Sequence, residues 1–395
     1  GAAMPPLEGI TVVALEQAVA APFATRQLAD LGARVIKIER PGVGDFARGY
    51  EEAVRGISAH HVWLNRSKES LTLDLKHPAA SAILAGLLDR ADVFIQNLAP
   101  GAADRLGLSA DALTSRYPRL IICGISGYGA SGPYRDKKAY DLLIQCEAGV
   151  VAITGTPETP SKAGISVADI AGGMYAFSGI LTALYERERT GTGAVLEVSL
   201  FESLGEWMGY PAYYTAYGGR PPARTGASNA VIAPYGPFQC GDGKTVFLGL
   251  QNSREWARFC ELVLGQPNLA TDARFDSNPK RLANRDTLHA IIHERFVGLT
   301  AEEVVALLDQ AGIANARLNS VQEFWDHPQL QARNRWREVD SEVGPVKALL
   351  PPVTIRHVEP RMDPIPGLGA HTEPILRSLG YDDKAIGRLH AEGVI

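Results

Sequence analysis

The chain lacks the residue patterns that form disulfide frameworks or metal sites. Its 395 residues include four cysteines and nine histidines, with no CxxC pair and no HExxH motif. We therefore expect neither a disulfide framework nor a bound metal. Cys123 ends an apolar run and Cys146 lies within one, a pattern that predicts buried thiols.

Long apolar runs and a strong charge of one sign are also missing. No run approaches the roughly 20 apolar residues of a membrane-spanning helix, and the N-terminus has neither a basic segment nor a signal-type apolar core. The formal net charge of −5 gives no general attraction to nucleic acid or anionic membrane. We expect a cytoplasmic enzyme that binds neither nucleic acid nor membrane. Because the net charge is negative, a local basic patch must hold any anionic ligand.

The first half of the chain alternates between strand and helix patterns. Short apolar runs predict strands at 10–15, 33–39, 71–75, 91–96 and 120–125. Amphipathic segments predict helices at 22–31, 78–90 and 108–117. This alternation predicts an α/β fold with a Rossmann-like, doubly wound parallel sheet.

The texture of the sequence changes near residue 218. A segment rich in Gly and Pro is followed by FQCGDGKTVFLGL, a hairpin pattern that turns at Asp242-Gly243, and then by helical segments. We predict a large domain over 4–217, a linker with a smaller α+β domain over 218–330, and a return to the large domain over 331–395.

Asp169 stands at the predicted start of a long helix and is followed by Ala171-Gly172-Gly173. Aspartate before a helix is a preferred N-cap, and spacing alone favours that interpretation. A catalytic interpretation needs an ionised carboxylate, which a helix N-terminus stabilises, and small neighbours that let a thioester approach. The two interpretations are compatible.

Basic residues recur where predicted strands end, at Lys37, Arg40, Lys76, Arg105 and Lys137-Lys138. Ligands of open α/β sheets bind beyond the carboxyl ends of the strands, so these cations could hold a polyphosphate. The alternative is a solvated rim of paired charges. Neither a GxxxxGK[ST] loop nor a GxSxG elbow occurs.

Seven segments along the chain carry a family resemblance. They are 9–45 (GITVVALEQAVAAPFATRQLADLGARVIKIERPGVGD), 65–76 (NRSKESLTLDLK), 92–108 (DVFIQNLAPGAADRLGL), 127–149 (GYGASGPYRDKKAYDLLIQCEAG), 168–193 (ADIAGGMYAFSGILTALYERERTGTG), 327–333 (HPQLQAR) and 366–381 (PGLGAHTEPILRSLGY). Together they resemble the class III CoA-transferases, the group of formyl-CoA transferase and carnitine CoA-transferase.

The resemblance implies a role for Asp169 as nucleophile. Its carboxylate would attack a donor acyl-CoA, giving a mixed anhydride and CoA thiolate. The thiolate would return to form an aspartyl-CoA thioester and release the donor acid, and the acceptor acid would reverse these steps. Covalent catalysis of this kind divides one exchange into easier steps.

The resemblance also implies that coenzyme A or acyl-CoA is the substrate, with no metal, and that the protein is an interlocked homodimer. Asp141 matches an acidic position that shapes the site. The implied CoA contacts are Val19, Ala20, Arg40, Leu73, Asp74, Leu75, Lys76, Asn97, Leu98, Ala99, Arg105, Lys137, Lys138, Ala139 and Tyr140.

Two departures from the family pattern concern the substrate. Val19 stands where some members carry a glutamine, and ARTGASNAVIAPYGPF (223–238) replaces the glycine-rich loop of formyl-CoA transferase. We therefore do not expect oxalate/formate exchange. The IAPYG segment resembles members that act on succinyl-CoA and C4–C6 dicarboxylates such as citramalate, mesaconate, itaconate or glutarate. Residues suggested to bind a distal carboxylate are Arg224, Ser228 and Asn229.

Two other functions compete with transfer. An α-methylacyl-CoA racemase would share the fold and the aspartate, but racemases carry a His-Asp base where this chain has Tyr140-Asp141. Tyrosine, with a reference pKa of about 10, is a poor base at neutral pH. The other alternative is a non-catalytic CoA-binding protein, against which Asp169 and its Gly-Gly neighbours argue.

Overall fold

The computed structural model describes residues 4–395 and contains two compact units. The first comprises the chain up to Gly149, Ala163–Gly209 and Leu330–Ile395, and the second comprises Val150–Lys162 and Tyr210–Gln329. The sequence-based division differs by including 210–217 in the large domain, and by including 150–162 there as well. Contacts within the second unit, described below, account for the position of 150–162.

Eleven strands are formed by the described residues. They are β1 (Thr11–Leu15), β2 (Arg34–Glu39), β3 (Lys68–Thr72), β4 (Val93–Gln96), β5 (Ile121–Ser126), β6 (Val195–Ser199), β7 (Tyr235–Gln239), β8 (Thr245–Gly249), β9 (Ala314–Arg317), β10 (Trp336–Val339) and β11 (Val346–Leu349).

The α-helices of the described residues connect and cover these strands. They are α1 (Ala20–Asp30), α2 (Ala59–Leu64), α3 (Ala80–Leu88), α4 (Ala102–Arg105), α5 (Ala110–Arg116), α6 (Asp141–Glu147), α7 (Val150–Ile153), α8 (Val167–Thr190), α9 (Leu200–Trp207), α10 (Gly209–Gly218), α11 (Ser253–Arg258), α12 (Asn278–Ala283), α13 (Arg285–Phe296), α14 (Ala301–Ala311), α15 (Val321–Trp325), α16 (Pro328–Ala332), α17 (Thr372–Ser378) and α18 (Asp383–Ala391).

The first unit is built on a six-stranded sheet in the order β3-β2-β1-β4-β5-β6, and every neighbouring pair is parallel. The predicted doubly wound α/β fold is thus confirmed. The central strands are almost wholly buried, as parallel strands covered on both faces must be. The predicted strand at 71–75 is wrong in position, because β3 begins at Lys68, a buried lysine that the apolar pattern could not reveal.

The long helix α8 packs against α1 and α9. By length and composition alone this 24-residue helix could cross a membrane, a property that it shares with core helices of soluble proteins. One side is buried, including Ala171, Ala176 and Ile180. The helix ends at Gly191, which adopts φ 78°, the left-handed conformation typical of a glycine that terminates a helix.

The C-terminal segment covers the edge strand β3. The Ser70 N–H donates to His371 Nδ1 at 3.1 Å, and the Thr72 N–H donates to Thr372 Oγ1 at 2.9 Å. Backbone donors that an edge strand would otherwise expose are therefore satisfied by residues from the other end of the chain.

The second unit contains the antiparallel sheet β7-β8-β9, and the predicted hairpin at Asp242-Gly243 is confirmed as β7-β8. Helices α11, α13 and α14 cover a separate apolar core that includes Trp256, Phe259 and Phe296.

The two cysteines expected to be buried differ in exposure. Cys123 is buried as expected, whereas Cys146, in α6, is exposed, so the expectation is wrong for Cys146.

Candidate active site

The predicted CoA contacts lie beyond the carboxyl ends of five neighbouring strands of the first unit. Val19 and Ala20 follow β1, Arg40 follows β2, Leu73–Lys76 follow β3, Asn97–Ala99 and Arg105 follow β4, and Lys137–Tyr140 follow β5. Because all these strands are parallel, their carboxyl ends share one edge of the sheet.

The order of strands reverses between β1 and β4, which is where ligands of doubly wound folds bind. Asn97 joins the two loops there: its Oδ1 accepts from the Gln17 N–H at 2.9 Å, and its Nδ2 donates to the Gln17 carbonyl at 3.0 Å. The Asn97 side chain thus fixes the backbone of the β1–α1 turn and has a structural part in the site.

Lys37 is fully buried and pairs with Glu16 and Asp45, so the expectation that it could hold a polyphosphate is wrong. The exposed cations at this edge are not paired with carboxylates. Among residues 4–395, no acidic group lies within ion-pair distance of Arg40, Lys76, Arg105 or Lys137, and all four are exposed. Arg40 instead stacks on Phe46, with its guanidinium carbon 4.5 Å from the ring centroid. The alternative of a rim of paired charges is therefore disfavoured, and the edge presents positive charge to a ligand.

A cavity of about 680 Å³ opens at the carboxyl ends of β2 and β3. Pro41 and Gly42 line it just after Arg40, and Thr72 lines it just before Leu73. The opposite wall comes from the C-terminal helices, at Thr372, Glu373, Pro374, Arg377 and His390. Leu73 itself is buried, so only its backbone could contact a ligand.

Asp169 is the third residue of α8, not its N-cap. The helix begins at Val167 after Ser166, whose side chain makes no capping bond. The N-cap interpretation of Asp169 is therefore wrong, and a residue distant in sequence caps the helix instead.

That residue is Asp141, the first residue of α6. Its Oδ1 accepts from the Ala168 N–H at 2.7 Å and from the Asp169 N–H at 3.1 Å. Its Oδ2 accepts from Gln145 Nε2 at 2.7 Å, and Gln145 Oε1 accepts from the Ala163 N–H at 2.9 Å. Asp141 thus satisfies free donors of the helix end, and the buried Gln145 holds it there.

The environment of Asp169 raises the pKa of its carboxyl to about 7, first through burial and second through the negative charge of Asp141. No cation or hydrogen-bond donor of residues 4–395 offsets this effect. A carboxylate with so little compensation is more basic and more nucleophilic than an exposed one. The helix N-terminus was expected to favour the ionised carboxylate, but burial and the Asp141 charge outweigh it and make Asp169 more basic than an exposed aspartate.

The glycines after Asp169 serve packing. Both are buried. A Cβ at Gly172 would lie 2.5 Å from Leu200 Cδ2, and one at Gly173 would lie 2.7 Å from the Ala20 carbonyl oxygen. The expectation that they let a thioester approach is wrong, because their open faces are filled by α9 and α1.

Tyr50 belongs to the same neighbourhood and was not predicted. Burial raises the pKa of its phenol, as do the charges of Asp45 and Asp169 and the nearby Tyr140. The Tyr50 ring packs edge-on against His60, whose Nδ1 lies 2.9 Å from Glu51 Oε2. Single aromatic residues in a polar loop give no periodic signal, so the sequence could not identify it.

The three residues suggested for a distal carboxylate lie in the second unit, and their polar groups are engaged locally. Arg224 donates to the carbonyls of Ala152, Thr156 and Pro157 at 2.8–3.0 Å.

Asn229 Oδ1 accepts from the Val231 and Ile232 N–H groups, and the backbone of Ser228 bonds to Thr225. This arrangement supports a structural role for Arg224 and Asn229. Arg224 connects 150–162 to the rest of the second unit.

Fold and site together define an α/β enzyme with a cationic ligand edge and a partly buried, basic carboxylate. A human succinyl-CoA:glutarate CoA-transferase is 33% identical, over 99% of this chain and 90% of its own. An acetyl-CoA:oxalate CoA-transferase from Acetobacter aceti is 38% identical, over 83% of this chain and 85% of its own. A CAIB/BAIF family protein from Brucella suis has a TM-score of 0.85 at 32% identity, covering 95% of this chain and 100% of that one.

The family model of CoA-transferase family III matches residues 7–372. The chain therefore belongs to CoA-transferase family III and is a transferase that uses acyl-CoA as a substrate.

Proposed function

We propose that the protein transfers CoA from an acyl-CoA donor to a free carboxylic acid by covalent catalysis at Asp169. The observation that carries the proposal is the partly buried Asp169 carboxylate, whose pKa is raised to about 7, on a helix that packs against α1 at the ligand edge of the sheet. Because the ionised form is poorly stabilised, attack on a thioester carbonyl relieves its unfavourable charge.

Four steps follow from this chemistry. The Asp169 carboxylate adds to the thioester, and the C–S bond breaks to give a mixed anhydride and CoA thiolate. The thiolate then attacks the Asp169 acyl carbon, which forms an aspartyl-CoA thioester and releases the donor acid. The acceptor carboxylate then attacks the carbonyl of that thioester, and the C–S bond breaks to give a second mixed anhydride and CoA thiolate. Last, the thiolate attacks the acceptor acyl carbon of the anhydride, which forms the new acyl-CoA and frees the Asp169 carboxylate.

The cationic edge is our proposed site for the nucleotide part of CoA. Arg40, Lys76 and Arg105 are exposed, unpaired cations in the loops after β2, β3 and β4, and their charge suits the phosphates of CoA. Lys76→Ala should raise the KM for acyl-CoA with little change in kcat, whereas Lys384→Ala, which removes an exposed lysine on α18, should change neither. Equal effects of the two substitutions would argue against this site.

We propose succinyl-CoA as donor and a C4–C6 dicarboxylate as acceptor. The human relative carries succinyl-CoA and glutarate in its name, in agreement with the expectation from the IAPYG segment. The Acetobacter aceti relative carries oxalate, so oxalate belongs in the same test panel although we do not expect its exchange with formate.

Mass spectrometry of the intact protein tests the mechanism. Addition of succinyl-CoA should give a CoA adduct on the wild type that is absent from Asp169→Ala, which should fold, bind CoA and lose transfer. Isotopically labelled acids would then report the acceptor by the label found in new CoA esters. Substantial transfer by Asp169→Ala would overturn the proposal.

The same experiment separates the alternatives. Deuterium exchange at the α-carbon without acyl exchange would support the racemase, and CoA binding without either reaction would support a binding protein. The racemase is disfavoured because the Asp141 carboxylate that it would use is already bound by two N–H groups and Gln145.

A further inference from the structure

Ala18, in the turn between β1 and α1, has an unusual backbone conformation. Its φ is 61°, a left-handed value that residues with a Cβ rarely adopt. Such strain persists only where surrounding contacts impose it, and it concentrates at functional sites. The turn immediately precedes Val19 and Ala20, which are proposed contacts of CoA.

Side chains of two neighbouring loops impose this conformation. The Ala18 N–H donates to Asp45 Oδ1 at 2.7 Å, and the adjacent Gln17 Oε1 accepts from the Phe46 N–H at 2.9 Å. Asn97 binds the Gln17 backbone from the other side, as described above. The Gln17 N–H, the Gln17 carbonyl and the Ala18 N–H of the turn are thus all hydrogen-bonded to side chains of neighbouring loops.

Asp45 is itself fixed by a buried group of charges. Lys37 Nζ lies 2.6 Å from Asp45 Oδ2, 3.2 Å from Glu16 Oε2 and 3.0 Å from Asn65 Oδ1. Lys68 Nζ lies 2.8 Å from the same Glu16 oxygen. Lys37, Glu16 and Lys68 are fully buried and Asp45 is 1% exposed, so none of these groups can turn to solvent.

This buried group of charges holds the Asp45 carboxylate in place. A buried ion pair adds little net stability over apolar side chains of similar volume, whereas it does specify one geometry. Here Asp45 Oδ1 binds two backbone N–H groups, that of Ala18 in the β1–α1 turn and that of Ala47 in its own loop. The network therefore connects the turn to the sheet, because Lys37 of β2 binds Asp45 and Asp45 binds the Ala18 N–H.

We propose that Asp45 is a positioning residue for acyl-CoA, which acts by holding Ala18 in its left-handed conformation so that the β1–α1 turn is preformed for the ligand. This inference rests on the proposed CoA site at the carboxyl edge. Without Asp45 the turn relaxes to negative φ, and the backbone of Val19 and Ala20 moves. Ligand binding weakens while the chemistry at Asp169 continues.

The test exploits the conformational freedom of glycine, which adopts positive φ about as readily as negative φ. Asp45→Ala, which removes the oxygen that binds the Ala18 N–H, should raise the KM for succinyl-CoA roughly tenfold with a smaller change in kcat. Adding Ala18→Gly should recover part of that loss, because glycine reaches the required conformation without the clamp. Adding Asn334→Gly, at another left-handed residue with φ 53°, should recover none of it.

A second variant leaves the buried charges intact. Ala18→Val places a β-branched residue where positive φ is least tolerated, so it should raise the KM as Asp45→Ala does, with the fold checked by circular dichroism and thermal melting. An unchanged KM in Ala18→Val, or equal recovery by the two glycine substitutions, would overturn the inference while wild-type transfer stands. A wild type that binds no CoA in calorimetry would overturn both this inference and the proposed function.

Discussion

The Asp141 carboxylate caps the helix that carries Asp169. It accepts hydrogen bonds from the Ala168 and Asp169 N–H groups, and its negative charge, together with burial, raises the pKa of the Asp169 carboxyl to about 7. One acidic side chain therefore both orients the first turn of α8 and increases the basicity of the proposed nucleophile. This relationship gives the first two predictions.

Asp141→Asn should shift the pH dependence of transfer. Only the ionised Asp169 is a nucleophile, so kcat/KM of the wild type should fall as the pH drops below about 7. Asparagine keeps an oxygen for the helix N–H groups but removes the charge, so the fall should move to lower pH. Glu147→Gln, at the other end of α6, is the control. If kcat/KM of Asp141→Asn falls at the same pH as that of the wild type, then Asp141 does not raise the pKa of Asp169.

Asp169→Asn should make the folded protein more stable at neutral pH. With a pKa near 7, the folded state binds the proton more tightly than the unfolded state, so the wild type loses stability as pH rises from about 4 to 7 and none beyond. Asparagine has no such loss.

The gain from Asp169→Asn should grow over that interval and reach at most about 4 kcal/mol. Urea unfolding at several pH values measures it, with Asp136→Asn, at a side chain that is 80% exposed, as the control. A gain that is independent of pH would contradict the raised pKa.

Gly173→Ala should destabilise the first unit by about 1–3 kcal/mol. The added Cβ would meet the Ala20 carbonyl oxygen at 2.7 Å and Phe23 Cδ1 at 3.0 Å, and a backbone oxygen cannot move without shifting α1. Gly205→Ala is the matched control, since nothing lies within 4 Å of its Cβ position, and it should stabilise α9 by about 0.5–1 kcal/mol. Thermal unfolding compares them, and equal effects would refute the packing role.

Arg224→Leu should weaken the second unit without changing acid selectivity. The substitution removes three hydrogen bonds to the carbonyls of Ala152, Thr156 and Pro157, a loss of about 1–3 kcal/mol. Limited proteolysis should then cleave faster within 150–162. Arg220→Leu, at an exposed position, should have no such effect. A change in the ratio of kcat/KM between acids, with stability preserved, would restore Arg224 as a substrate residue.

The protein should be a homodimer, as the family resemblance implies. Tyr213 and Tyr217 of α10 are 70% and 85% exposed and stack on each other at 6.1 Å, an apolar surface of the kind that protein interfaces cover. Analytical ultracentrifugation should give twice the chain mass of 42.4 kDa. Tyr217→Lys should weaken the dimer and Val353→Lys, in the first unit, should not. A monomer at micromolar concentration would contradict the proposal.

Much of the fold follows from local patterns. The strands β1, β2, β4 and β5 lie within one or two residues of their predicted bounds, because a strand buried on both faces must be continuously apolar. A strand that begins with a polar residue does not show this apolar pattern and was missed. Lys68 is the first residue of β3, and it is buried there because it forms an ion pair with Glu16, which is distant in sequence. The exposed Cys146 was misjudged because an apolar run does not tell which of its members face solvent.

The sequence by itself determined the alternation of strands and helices, the family and the presence of Asp169 at the start of α8. Only the tertiary structure decided that Asp141 caps that helix, that neighbouring helices pack against Gly172 and Gly173, and that Asp45 binds the Ala18 N–H. The reason is physical: local burial and turn propensity are properties of short segments, whereas the pairing of a carboxylate with a distant N–H, or of a glycine with a distant backbone, exists only once the chain has packed.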